Sequence, residues 1–345
     1  MTRPDVRLPL AVTMGEPAGI GGEIVLKAWA ARVEDDVPPF FVLDDPSRLQ
    51  SLAKAIGLAV PVRAIASPAE APALFGTALP VLPQPLSAPV LPGRPDPANG
   101  PAVIASIDRA VDLVRRGEAG AVVTNPIQKS ALYAAGFRHP GHTEYLAHLA
   151  GMTEEPVMML AARDLRVVPV TIHVSLRDAV NQLTTEAIVH AGRVTAAGLV
   201  RDFGIAQPRL AIAALNPHAG EDGSMGREEI DIIAPAVAAL RAEGIEAIGP
   251  RPSDTLFHAA ARAGFDAALC MYHDQALIPL KTIDFDTGVN ITLGLPFVRT
   301  SPDHGTALDI AGTGRAGASS LVAAMKTAAL MARSRASVAL FSRET

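Results

Sequence analysis

The sequence predicts an α/β protein with a largely parallel sheet. Short apolar runs of strand length alternate with segments in which apolar residues recur at helical spacing. The runs are bounded by Gly, Pro and polar residues, and many are apolar throughout, as in strands that are buried on both faces. Strands of this kind that alternate with helices form parallel sheets covered by helices.

The first half of the chain follows this alternation. Strands are predicted at 8–13, 40–43 and 121–124, and helices at 24–31, 47–56 and 102–115. The turn after the first strand, GEPAGIG at 15–21, has glycines that permit tight turning and close approach of backbone, although it lacks the GxGxxG pattern of dinucleotide sites. The proline-rich stretch 60–101 predicts edge strands and a long surface connection, since proline lacks the amide donor that a central strand requires.

Three apolar runs in the second half, which also contains predicted helices at 184–200 and 228–242, each end at a histidine. They are RVVPVTI before His173, LAIAAL before Asn-Pro-His218, and AALCM before Tyr-His273. If these strands are neighbours in a parallel sheet, the three imidazoles share the edge at which open α/β sheets bind ligands. Three neutral imidazoles suit a divalent metal ion with open positions for substrate. The alternative for any one of them is a strand-end histidine bonded to backbone.

An anion site is predicted at the start of a helix in the middle of the chain. PGHTE, at 140–144, precedes a helix predicted over 145–149, with Thr143 as its N-cap. Backbone amides and His142 at such a helix start can bind an anion, whereas the alternative is a simple capped helix. The segment TNPIQK follows the strand at 121–124 and brings Lys129 toward the same sheet edge.

Three further charged residues are candidates for the site. Lys281 and Arg299 lie beside apolar segments, where charged side chains are seldom found without a partner. An anionic small molecule is the guest that they favour, although a surface lysine is the alternative for Lys281. Asp254 stands at a predicted helix start, where it is either a cap or an acid–base group.

The composition excludes several classes of function. The 345 residues are 49% hydrophobic, enough for one large domain or two ordinary ones. With a net charge of -5 and scattered Lys and Arg, the chain presents no basic face for nucleic acid. The single cysteine, Cys270, rules out an internal disulfide framework. No apolar stretch has the length of a membrane span and the first residues lack a signal-peptide core, which predicts a cytoplasmic protein.

Eight ordered motifs together resemble the PdxA family of vitamin B6 synthesis. The resemblance runs from about Leu10 to about Met325, and Gly22 departs from it where many relatives have Pro. The motifs are GEPAGIG, TNPIQK, PGHTE, NPHAGEDG at 216–223, SDTLF at 253–257, MYHDQ at 271–275, GVNITLGLP at 288–296 and RTSPDHGTALDIAG at 299–312.

The resemblance implies an isocitrate/isopropylmalate dehydrogenase-like fold with two α/β/α subdomains and a central cleft. The first subdomain would comprise 1–130 plus 305–345 with elements that bind the cofactor, and the second 131–304 with metal and substrate residues and the dimer contacts. A homodimer would complete each active site. HGTALDIAG is similar to the cofactor loop of isopropylmalate dehydrogenases, which implies that Gly305 and Asp309 contact NAD or NADP.

The resemblance also implies residue roles and a reaction. His173, His218 and His273 fall on the family's ligands for zinc, magnesium or cobalt, with His273 expected from the opposite subunit. The implied substrate-binding residues are His142, Thr143, Lys281, Asn290 and Arg299, and Asp254 and Lys281 are candidate acid–base groups. The implied reaction is NAD-dependent oxidation of 4-phosphooxy-L-threonine to 2-amino-3-oxo-4-phosphooxybutanoate, which decarboxylates to 3-amino-2-oxopropyl phosphate.

Three other functions compete with this interpretation. Relatives within the superfamily oxidise erythronate or threonate 4-phosphate, or a cyclohexadiene diol carboxylate. The sequence of residues 124–144 favours the B6 enzyme over these relatives. A three-histidine metal hydrolase has no use for HGTALDIAG. A two-domain solute-binding protein is disfavoured by the missing signal peptide and by the histidine triad.

Overall fold

The computed structural model describes residues 8–341, and it describes their side chains as far as residue 337. The start of the N-terminal stretch that lacks a signal-peptide core, 1–7, and the end of the predicted first subdomain, 342–345, lie outside the described residues. No helix within 8–341 is both long enough and apolar enough to span a membrane. The described chain divides into two units, one of residues 8–154 and 295–332, the other of residues 155–294 and 333–341.

Strands and helices alternate along most of the described chain. The strands are β1 (Leu10–Thr13), β2 (Phe40–Asp44), β3 (Val62–Ala64), β4 (Leu79–Pro83), β5 (Val122–Val123), β6 (Val157–Ala162), β7 (Leu165–Pro169), β8 (Arg209–Ala213), β9 (Glu246–Arg251), β10 (Ala267–Cys270), β11 (Val289–Leu293) and β12 (Arg299–Pro302). The helices are α1 (Gly21–Ala30), α2 (Pro46–Ala55), α3 (Ala71–Leu74), α4 (Gly100–Arg115), α5 (Lys129–Ala134), α6 (His142–Ala150), α7 (Leu176–Gln182), α8 (Thr185–Phe203), α9 (Ala234–Ala242), α10 (Ala259–Arg262), α11 (His273–Ile283) and α12 (Ser319–Phe341).

The first unit contains a parallel sheet in the order β3-β4-β2-β1-β5-β12. The strands predicted at 8–13, 40–43 and 121–124 are confirmed as β1, β2 and β5, with ends that differ by one or two residues. The proline-rich stretch 60–101 contains β3, at the edge of this sheet, and β4 beside it. The edge position predicted for strands of this segment is confirmed for β3 and is wrong for β4, which pairs with β2 on its other side.

One face of α4 packs into the core of the first unit, and its contacts show which chain segments belong to that unit. Val103, Ile107 and Val111, spaced by one helical turn, are buried with Leu146 of α6 and with Phe297, which precedes β12. The Tyr145 hydroxyl also donates a hydrogen bond to Asp108 of α4. These contacts place residues 131–154 and 295–304 in the first unit, whereas the sequence-based boundaries at 130 and 304 assign them to the second subdomain.

The second unit contains a mixed sheet in the order β11-β6-β7-β10-β8-β9. β6 runs antiparallel to β11 and β7, whereas β7, β10, β8 and β9 are parallel to one another. In register, Leu269 of β10 lies opposite Val168 of β7 and Ile212 of β8. The three strands before the histidines are therefore neighbours and parallel, which is the condition under which the sequence places the three imidazoles at one sheet edge.

A buried carboxylate ties the last helix to α8 within the second unit. Asp202 is fully buried, and its two oxygens accept hydrogen bonds from Arg201 and from Arg335 of α12. Two guanidinium groups thus neutralise one carboxylate that has no exposure to water. Burial of this kind is tolerated because each oxygen accepts hydrogen bonds from charged donors.

Candidate active site

The side chain of a buried arginine reaches the carboxyl end of β5 in the first unit. Arg299 is 4% exposed and stands at the start of β12, in register with Val122 of β5. Its Nε and Nη2 donate to Oγ1 of Thr124, at 3.2 and 2.7 Å. Burial lowers the pKa of Arg299 to about 10, while Glu144 opposes the shift. Arg299 consequently remains a cation at neutral pH in a place where it is poorly hydrated.

His142 begins helix α6 beside this cation. The N-cap is Gly141 rather than Thr143, so the predicted capping role of Thr143 is wrong: the helix starts earlier and places Thr143 in its first turn. Burial, Arg299 and Lys129 together hold the pKa of His142 well below its usual range. The imidazole is therefore neutral at neutral pH, and its buried Nε2 has no hydrogen-bond partner among the described residues.

This arrangement is suited to a small anion. Arg299 supplies a poorly hydrated positive charge, and Lys129 supplies a second one. The first turn of α6 contributes backbone N–H groups that have no acceptor within the helix. The orphaned Nε2 of His142 is the kind of buried polar atom that a ligand satisfies on binding. The anion site predicted from PGHTE thus has the donors and charges that it requires.

Two of the three predicted metal ligands lie together in the second unit. The rings of His173 and His273 have centroids 6.1 Å apart. His173 follows β7 in a left-handed conformation with φ of 54°, and His273 is the first residue of α11. Nδ1 of His273 is 2.8 Å from the carboxylate of its neighbour Asp274. With the Nδ1 proton donated to that carboxylate, Nε2 keeps the lone pair that a metal ion needs.

The third predicted ligand, His218, stands in a turn with an unusual conformation. The residues from His218 to Asp222 all have positive φ, with values of 51°, 54°, 77°, 41° and 54°. For residues other than Gly, each such conformation costs about 1–2 kcal/mol. Within the part of the chain that the structure describes, no group of three His, Cys, Asp or Glu side chains is placed to hold a metal ion. The metal triad therefore stays a prediction, with two of its members in ring contact.

A buried glutamine that the sequence analysis did not single out connects three of the motif loops. Gln275 donates from Nε2 to the carbonyl oxygen of Ala214, before NPHAGEDG, and to Oγ of Ser253 in SDTLF. Its Oε1 accepts from the backbone N–H of Met271 in MYHDQ. The motifs that carry His218, Asp254 and His273 are thus linked through a single side chain, a relation that only tertiary structure reveals.

The remaining predicted substrate and acid–base residues of the second unit have defined positions. Nζ of Lys281, on α11, lies 5.4 Å from the ring centroid of Phe285. Asn290 is partly buried on β11, opposite Leu160 of β6. Asp254 is exposed in a single 3-10 turn, Ser253–Thr255, where no side chain caps the turn. Their roles in substrate binding and in acid–base chemistry stay predictions.

A cavity of 530 Å³ lies at the carboxyl edge of the first unit's sheet, close to the predicted cofactor loop. Loops after β1, β2 and β4 form it together with α2 and with Gly312, the last residue of HGTALDIAG. In the same loop, Gly305 and Asp309 are exposed, and Nε2 of His304 is buried without a hydrogen-bond partner among the described residues. The carboxyl edge of a sheet is where α/β proteins bind their ligands.

The first helix holds the segment that follows this loop. Nζ of Lys27 donates to the carbonyl oxygens of Gly314 and Ala316, at 2.7 and 2.5 Å, and Oε1 of the buried Glu23 accepts from the N–H of Ala316. Glu23 and Lys27 are themselves paired at 3.1 Å, one turn apart on α1. The glycine-rich turn and the predicted cofactor loop are therefore fixed to the same helix.

The motifs and the fold agree with one family. A family model described as pyridoxal phosphate biosynthetic protein PdxA matches residues 36–328. The chain belongs to the PdxA family. It is 56% identical over 338 residues to a protein from Bradyrhizobium diazoefficiens named 4-hydroxythreonine-4-phosphate dehydrogenase, a match that covers 95% of this chain and 98% of that protein.

Two solved structures of dehydrogenases share the architecture. A 4-hydroxythreonine-4-phosphate dehydrogenase from Klebsiella pneumoniae superposes with a TM-score of 0.85 at 41% identity, covering 94% of this chain and 99% of that chain. A terephthalate 1,2-cis-dihydrodiol dehydrogenase from Burkholderia xenovorans gives a TM-score of 0.63 at 30% identity, covering 94% and 98%. The predicted α/β fold class and the predicted resemblance to the PdxA family are confirmed.

Proposed function

We propose that the chain is a 4-hydroxythreonine-4-phosphate dehydrogenase of pyridoxal phosphate synthesis. It would oxidise the C3 hydroxyl of 4-phosphooxy-L-threonine, with NAD or NADP as hydride acceptor. The product, 2-amino-3-oxo-4-phosphooxybutanoate, is a β-keto acid that loses CO2 to leave 3-amino-2-oxopropyl phosphate. The names of relatives that match almost the whole chain support this reaction. The observation that carries it is the site formed by Arg299, Lys129 and His142, since the substrate has two anionic groups.

The anion site binds and orients the substrate. The buried guanidinium of Arg299 and the ammonium of Lys129 neutralise a phosphate or carboxylate, and the first amides of α6 add hydrogen bonds. Thr143, in that first turn, brings a hydroxyl to the same place. His142 stays neutral, so its Nε2 exchanges a hydrogen bond with the ligand without adding a third charge. Lys281 and Asn290 are proposed as further substrate contacts.

The metal would be held by His173, His218 and His273, the last contributed across the proposed homodimer. The carboxylate partner of His273 Nδ1 leaves the Nε2 lone pair for a metal ion, which fits a site built from imidazoles. Imidazole ligands favour zinc or cobalt over magnesium, which prefers oxygen ligands and water. When bound, such an ion supplies positive charge next to the C3 oxygen and the new carbonyl. Asp254 and Lys281 are the candidate groups that take the hydroxyl proton.

The dinucleotide would bind to the first unit. The predicted loop begins at His304 and ends at Gly312, and Gly305 and Asp309 within it are exposed. The orphaned Nε2 of His304 and the 530 Å³ cavity at Gly312 are features that a bound adenosine half can fill. A dinucleotide bound there would supply the hydride acceptor for C3. The chain contributes by holding donor and acceptor in the required orientation.

The test is NADH formation by the purified protein with Co²⁺ and NAD. We expect turnover of 4-phosphooxy-L-threonine, and a rise in its KM of at least about tenfold in Arg299→Met because a charge-assisted contact is lost. Erythronate 4-phosphate and a cyclohexadiene cis-diol carboxylate are assayed in parallel. The similarity to the terephthalate dihydrodiol dehydrogenase makes the diol carboxylate the second candidate substrate. Turnover of that compound alone would reassign the substrate, and absence of NADH with all three would refute the proposed dehydrogenase.

A further inference from the structure

The left-handed backbone conformation of the turn that contains His218 is not favoured by the residue types in the turn. Four residues of the left-handed run, His218, Ala219, Glu221 and Asp222, carry a Cβ that disfavours this conformation, and Gly220 alone adopts it freely. Three backbone hydrogen bonds close the turn: Ala219 to Asn216, Ser224 to Glu221, and Met225 to Gly220. Such a conformation persists only where surrounding groups impose it.

A buried carboxylate from the next element supplies this constraint. Glu229 is 3% exposed, and its Oε1 accepts from the backbone N–H groups of Leu215 and Asn216, at 2.8 and 2.7 Å. Its Oε2 accepts from Nδ2 of Asn216 at 2.9 Å. Both amides lie directly after β8 and immediately before Pro217 and His218. Glu229 therefore fixes the point at which the strand ends and the left-handed run begins.

The turn is closed tightly around this carboxylate. A Cβ added to Gly220 would lie 2.6 Å from Oε2 of Glu229, and one added to Gly226 would lie 2.4 Å from Nδ2 of Asn216. Neither contact can be accommodated without movement, so the two glycines permit backbone to approach the Asn216–Glu229 pair. The backbone on both sides of His218 is thus held against Asn216 and the two carboxylates that accept from its Nδ2, those of Glu228 and Glu229.

We infer that Glu229 is a positioning residue for His218. The carboxylate holds the left-handed turn in place, so the imidazole of His218 is presented with little conformational freedom to lose on binding a divalent ion. Outer groups that orient a ligand in this way commonly change metal affinity by about 10–100-fold when they are removed. The inference rests on the proposed function, because it takes His218 to be a metal ligand.

The experiment measures Co²⁺ affinity of the metal-free protein by calorimetry, counting only the binding that His218→Ala abolishes. In Glu229→Gln, the amide nitrogen no longer accepts from Nδ2 of Asn216, and the remaining oxygen, now uncharged, accepts more weakly from the N–H groups of Leu215 and Asn216. Metal affinity should fall by about 10–100-fold. Asn216→Ala should act in the same direction and serves if Glu229→Gln does not fold. Glu243→Gln is the matched control: it alters another carboxylate of the same unit, one that pairs with Arg193 on the surface, and it should leave affinity unchanged.

Hydrogen exchange at the amides of Leu215 and Asn216 provides a readout that does not depend on metal. Faster exchange in Glu229→Gln together with weaker Co²⁺ binding supports the inference. Faster exchange with unchanged Co²⁺ affinity would overturn it, because Glu229 would then stabilise the turn without serving His218. Unchanged exchange would also overturn it. If the parent protein shows no Co²⁺ binding that requires His218, the proposed metal site itself fails, whatever the exchange rates.

Discussion

Thr124→Val removes a single oxygen that serves the buried cation of the candidate site. Thr124 is 1% exposed, and Val has nearly the same shape, so the substitution leaves packing intact and deletes only the acceptor for Arg299. A hydrogen bond to a charged group contributes about 1.5–3 kcal/mol. Taking the 2.7 Å bond in full and the 3.2 Å bond at half strength, we expect the free energy of unfolding to fall by about 2–4.5 kcal/mol.

Equilibrium denaturation in urea measures this loss, and Thr300→Val is the matched control. Thr300 is equally buried in β12, but its hydroxyl donates to a neutral acceptor, the carbonyl oxygen of Ala324, at 2.9 Å. That bond is worth about 0.5–1.5 kcal/mol, so Thr300→Val should cost clearly less. Equal losses for the two substitutions would refute the view that Thr124 compensates for the burial of the Arg299 charge.

Three further predictions concern buried titratable groups. The pKa of His142 in the folded protein lies well below its usual 6.5, so the unfolded chain binds a proton at a higher pH than the folded chain does. The free energy of unfolding should therefore fall as the pH drops below about 6.5. In His142→Asn, the contribution of this histidine to the pH dependence of unfolding should be absent. Asp202→Asn should cost about 3–5 kcal/mol because it leaves Arg335 and Arg201 without their counter-charge, whereas Asp112→Asn, in an exposed pair, should cost less than about 1 kcal/mol by urea denaturation. Burial raises the pKa of the Cys270 thiol, so Ellman's reagent should not react with it until denaturant is added; reaction in the native protein would contradict its burial.

The strand pattern was readable because burial on both faces leaves a continuous apolar run. Ala267 to Met271 predicted β10 almost residue by residue, and the runs before His173 and His218 predicted β7 and β8 to within a few residues. Their adjacency was a condition of the predicted metal site and not a conclusion from the sequence, and the structure supplies it. The antiparallel β6 was missed, although its residues, VMMLAA, are as apolar as those of its neighbours.

The contacts that shape the site were not readable, because they join residues through tertiary structure. Thr143 looked like a cap since Thr is a common N-cap, but Gly141 occupies that position in extended conformation. The left-handed run at His218 contains mostly residues that rarely adopt positive φ, so the sequence offers little sign of it beyond Gly220. The roles of Glu229 and Gln275 likewise depend on the distances of their side-chain atoms from other loops.

The placement of β12 has a consequence for synthesis on the ribosome. Arg299 follows its acceptor Thr124 by 175 residues, and the six strands of the second unit, β6 to β11, are all made between them. At a translation rate of 5–20 residues per second, β5 waits about 9–35 s for its neighbour in the sheet. The second unit's strands can pair during that interval, while the carboxyl edge that will bind the anion has neither its cation nor its last strand. In nascent chains, the incomplete first unit should therefore be the main part of the protein that chaperones need to protect.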